Sequence, residues 1–90
     1  MSSLHAIEVT AVVHEYMVIS VNDFRLYDKA IDCEIRSSLN EIVRRGRFKG
    51  GLIQLRLINL IAGQYSIVLK IAGLGERVHE FKKVDSIEAL

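Results

Sequence analysis

The sequence predicts an α+β domain: a three- to five-stranded, mostly β sheet with one long amphipathic helix, residues ~28–45, packed on one face. Three observations carry this expectation. The first residues alternate apolar and polar with a period of two. Residues 28–45 place aliphatic side chains at spacings of four and three. The second half holds dense apolar, β-branched runs bounded by glycines.

In chain order, Ile7, Val9, Ala11 and Val13 share one face of a first strand, with Glu8, Thr10 and Val12 on the other. His14-Glu15-Tyr16 reads as a turn, and Met17–Val21 as a second strand antiparallel to the first. Asp28 is placed to cap the expected helix, whose stripe is Ile31, Ile35, Leu39, Ile42 and Val43. Arg44 and Arg45 would complement the dipole of its last turn, and Gly46 would end it. If that stripe is core, Leu39→Ala costs about 2–5 kcal/mol. Leu52–Leu60 reads as a buried central strand between glycines. Tyr65–Ala72 fits a strand by alternation and a helix by spacing; its β-branched residues favour the strand. Gly73-Leu74-Gly75 is a turn, Arg77–Val84 another strand, and Asp85 with Glu88 the start of a last helix.

Ninety residues make one domain, residues 1–90, without linker, repeat or proline. Half of them are apolar, more than so small a body can hide, and this predicts an interface, most simply a homodimer. Twelve basic against eleven acidic side chains give no general affinity for nucleic acid. A lone cysteine, Cys33, excludes an internal disulfide and suits a reducing compartment. No apolar run approaches a membrane span, and the N-terminus lacks a signal-peptide pattern, so a cytoplasmic location away from membranes is expected.

The search for chemistry yields little. His5, His14 and His79 are far apart and have no metal-ligand spacing, so no metal and no cofactor are expected. Cys33 is flanked by Asp32 and Glu34, which oppose a thiolate, and reads as a packing residue. Asp23, Asp28, Asp32 and Glu34 are accounted for by a helix start. No catalytic residue is nominated. The sharpest local feature is Arg44-Arg45-Gly46-Arg47-Phe48-Lys49-Gly50-Gly51. Read as a flexible basic loop, it offers Arg44, Arg45, Arg47 and Lys49 to an anion or nucleic-acid backbone, with Phe48 to stack on an unpaired base. A helix cap with Phe48 tucked into the core explains the same residues.

The order strand, turn, strand, helix, basic turn, buried strand over Ile7–Val13, Met17–Val21, Asp28–Val43 and Leu52–Leu60 resembles the STAS domain, the anti-sigma-factor-antagonist-like family. The resemblance implies a second helix at Gln64–Lys70 and a scaffold for protein contact. The family's switch serine is missing: Leu60-Ile61-Ala62-Gly63 stands in its place. The functional expectation is a small non-enzymatic protein–protein interaction or regulatory module, self-associating and with a protein partner. The alternative is a nucleic-acid binder using Arg44–Lys49.

Overall fold

The computed structural model describes residues 6–85. Strands make up 60% of them, and no helix of seven or more residues is present among them. The expected α+β architecture is therefore replaced by two β-sheets packed face to face. The strands are β1 (Ile7–Val9), β2 (Val12–Val13), β3 (Tyr16–Val21), β4 (Ile31–Ser37), β5 (Ile42–Phe48), β6 (Leu52–Arg56), β7 (Gly63–Ile71) and β8 (Gly75–Lys83). One sheet has the order β1-β3-β6, the other β2-β8-β7-β4-β5.

The long helix is the main correction. Its segment folds as the hairpin β4–β5, in which Ile31, Cys33 and Ile35 alternate inward and are almost fully buried. Ile31, Ile35 and Leu39 stand four apart, a spacing that suits a strand face as well as a helix stripe. The chain turns before Leu39 can continue either pattern. Ser37 Oγ accepts from the amides of Leu39 and Glu41, and Asn40 takes a left-handed conformation at φ 64°. Leu39 is left 78% exposed at the tip, with Ile42 and Val43 also exposed. Gly46 caps nothing: it lies within β5, where an added Cβ would sit 3.4 Å from Cys33 Sγ. Asp28 stands in an exposed connection, while Asp23 caps the short 3-10 turn Phe24–Leu26 by accepting from the Arg25 amide.

Other elements depart in smaller ways. The first strand is two pieces: β1 pairs antiparallel with β3, then the chain crosses and β2 pairs parallel with β8. This switch lets one segment join both sheets. Leu52–Leu60 is not a buried central strand. Only Leu52–Arg56 is extended, at the edge of the three-stranded sheet, with Leu52 70% exposed. Tyr65–Ala72 is resolved as strand: β7 lies between β4 and β8. The helices implied at 28–43 and 64–70 by the STAS resemblance are thus occupied by β4, β5 and β7. The helix expected from Asp85 lies largely outside the described residues.

The two inner faces share one apolar core. Ile7, Met17, Ile19 and Val21 from one sheet meet Ile35, Ile67, Leu69 and Phe81 from the other. Leu26 and Leu57, each beyond the strands of the smaller sheet, join the same core. The Tyr65 and Phe81 rings stack with centroids 5.6 Å apart, and the Tyr65 hydroxyl donates to the Ile61 carbonyl. This bond ties the start of β7 to the connection that leads into it.

Candidate functional site

The basic segment is an edge strand, not a loop. β5 pairs with β4 on one side, and no described strand pairs with it on the other. Its residues have separate fates. Arg47 donates through Nε to Asp32 Oδ1 at 2.6 Å across the hairpin. Arg44 donates to the Arg56 carbonyl and ties β5 to β6 of the facing sheet. Phe48 is partly buried against the core, as its packing alternative required. Arg45 stands beside Glu34 in register, and Lys49 is exposed in the connection that follows. Gly50 at φ 117° and Gly51, roofed by the Tyr27 ring, then carry the chain to the other sheet.

β4 brings three charged side chains, Asp32, Glu34 and Arg36, to the outer face, opposite the buried Ile31, Cys33 and Ile35. Neighbouring strands answer them. Glu34 accepts from Lys70 Nζ at 2.8 Å and from Arg36 at 3.1 Å. Both cations hold its carboxyl below the usual carboxylate range, Lys70 most strongly. The Arg47 guanidinium does the same for Asp32. Across the sheet, Arg47, Asp32, Lys70 and Glu76 form one row of alternating sign. The next row is Arg45, Glu34, Val68 and Val78.

The opposite edge of this sheet is β8. β2 covers only Lys82 and Lys83, so Gly75–Phe81 has no described partner strand on that side. Its outward side chains are Glu76, Val78 and Glu80, and Val78 is 56% exposed. On its outer face the same sheet thus carries Arg45 and Arg47 at one edge and Glu76 and Glu80 along the uncovered part of the other.

A shallow groove of about 540 Å³ lies between the β4–β5 turn and the start of β7, lined by Ser37, Asn40, Gln64, Ser66 and Glu80 among others. Its lining is polar: hydroxyls, amides and the Glu80 carboxylate, which stands opposite Ser66 in register. Cys33 is buried, and burial pushes its thiol up, away from nucleophilic use. His14 approaches the Val84 carbonyl, whereas His79 Nε2 is buried without a hydrogen-bond partner among the described residues. Among the described residues no three potential metal ligands are grouped. No helix among them is long and apolar enough to cross a membrane.

In the sequence the cations of β5 stand out, whereas Asp32 and Glu34 read as a helix start; the structure instead pairs them with Arg47 and Lys70. The signal was present in Asp32, Glu34 and Arg36, charged residues two apart between aliphatic ones, the signature of one solvated strand face. No protein-family model and no curated protein matches the chain.

Proposed function

We propose that this domain is a non-enzymatic protein–protein interaction module that associates with copies of itself. The observation that carries the reading is the pair of uncovered edges of the five-stranded sheet, Ile42–Phe48 and Gly75–Phe81. An edge strand presents unsatisfied amides and carbonyls in a row and is a ready template for another chain. Exposed apolar side chains, Phe24, Leu39, Leu52 and Ile61, add surface that water solvates poorly.

The test is the mass of the protein in solution, by light scattering over a range of concentrations in 50 mM salt. Mass rising with concentration is expected. A monomer throughout would sink the self-associating reading. The same preparation passed over a nucleic-acid column examines the alternative partner. Retention that disappears on replacing Arg45 and Lys49 with alanine would transfer the function to nucleic acid.

A further inference from the structure

We infer that copies of this chain join head to tail, with the β5 edge of one copy, bearing Arg45 and Arg47, adding to the uncovered stretch of β8 in the next, bearing Glu76 and Glu80. This deepens the self-associating reading and rests on it.

Backbone direction comes first. Along a strand, the N–H and C=O of one residue point to the same side, and the side alternates. The Lys82 amide donates to the carbonyl of Ala11, just before β2, so the amides of Glu76, Val78 and Glu80 point to the uncovered side of β8. The Ser37 amide donates to Glu41 across the hairpin, so odd residues of β4 face β5. In the register Cys33–Gly46 and Ile35–Arg44, this leaves the Arg45 and Arg47 backbone pointing outward from β5. The two edges offer complementary rows of donors and acceptors.

Strand sense agrees. β5, β4, β7 and β8 are antiparallel in succession, so β5 and β8 run in opposite directions. A copy displaced sideways along the sheet sets its β5 antiparallel to the first copy's β8. The row Arg47, Asp32, Lys70, Glu76 then continues into Arg47 of the next copy, with the alternation of sign unbroken. Arg45 falls beside Val78, two residues along, with outward backbone facing outward backbone in both pairs; the register shift in the β4–β5 hairpin ends the match there.

Charge also disfavours two-fold pairing in the registers that centre each edge on its own middle residue. Two β5 edges pairing with each other would set Arg45 against Arg47. Two β8 edges centred on Val78 would set Glu76 against Glu80. Like charges directly opposed across strands are destabilising, whereas Arg47 against Glu76 is favourable. A pairing of unlike edges is heterologous and does not close on itself at two copies.

The experiment is sedimentation of the full chain from about 10 μM to about 1 mM in 50 mM salt, concentrations that bracket weak association. The expected wild-type mass climbs past that of a dimer without levelling and falls in 500 mM salt. Arg47→Glu and Glu76→Arg should each weaken association about tenfold, and the double variant should restore it. Val78→Pro removes an amide that points away from β7, so the fold survives in a thermal melt while association is lost. Mass that levels at a dimer, or association indifferent to both charge reversals, overturns head-to-tail pairing and leaves self-association standing. A monomer at every concentration ends both.

Discussion

The hydroxyl of Tyr65, at the start of β7, lies 2.6 Å from the Ile61 carbonyl, which belongs to the connection leading into that strand. The bond holds the chain where it passes from the smaller sheet to the larger one. The Tyr65 ring meanwhile stacks on Phe81 of β8. Tyr65→Phe keeps the ring and loses only the bond, and should lower stability by about 1 kcal/mol in urea melts. Tyr65→Ala loses the stacking as well and should cost clearly more. Equal costs for the two variants would deny the hydroxyl a structural role.

Ile35 and Leu39 share the four-residue spacing that suggests a helix, yet only Ile35 is buried. Ile35→Ala should therefore cost about 2–5 kcal/mol. Leu39→Ala, at the exposed hairpin tip, should stay within about 0.5 kcal/mol of wild type. Denaturant midpoints of the two variants separate the hairpin from any helix through the same residues.

Gly50 and Gly51 make different demands. Gly50 holds φ at 117°, a conformation that residues with a Cβ rarely adopt. Gly50→Ala should destabilise by about 1–3 kcal/mol. At Gly51 an added Cβ would come within 2.9 Å of Tyr27 Cζ, the far end of a half-exposed side chain that can swing aside. Gly51→Ala should be the milder change, visible chiefly as a shift in the Tyr27 ring resonances. The reverse order of costs would contradict this geometry.

Acid should weaken the outer face of the large sheet. Asp32 and Glu34 both have carboxyls held below their usual range, by Arg47 and by Lys70 with Arg36 respectively. A depressed folded-state pKa contributes stability that is present above the unfolded value, about 4 for these groups. That contribution is lost as pH falls through the folded value. Urea midpoints should decline below about pH 4. Glu34→Gln should flatten the decline, and an unchanged slope in that variant would assign it to other carboxyls.

Some of the architecture is legible in the residues alone. Where apolar side chains recur every second position and are rich in β-branched residues, the pattern favours a strand. This is so for Met17–Val21, for Tyr65–Ile71 once its β-branched content is weighed, and for the inward Phe81 and Lys83 against the outward Lys82. The turn at Gly73–Gly75 is likewise legible, because both glycines adopt positive φ. The basic cluster was visible as composition, but not its place. A run of cations is the same text in a loop, a helix end or a strand edge.

The residues by themselves therefore marked the strands at Met17–Val21 and Tyr65–Ile71 and one charged segment near the middle, but placed a long helix at 28–45 where the fold has a hairpin. Tertiary structure decided the rest. Ile31, Ile35 and Leu39 satisfy two periodicities at once. The turn between Ser37 and Glu41, with a second sheet to cover Ile31 and Ile35 but not Leu39, selects one of them. The same pairing carries Arg47 to Asp32 and leaves Glu76 at the far side of the sheet. Local sequence sets which side chains alternate. Only the partner strand fixes which alternation is buried and which charges meet.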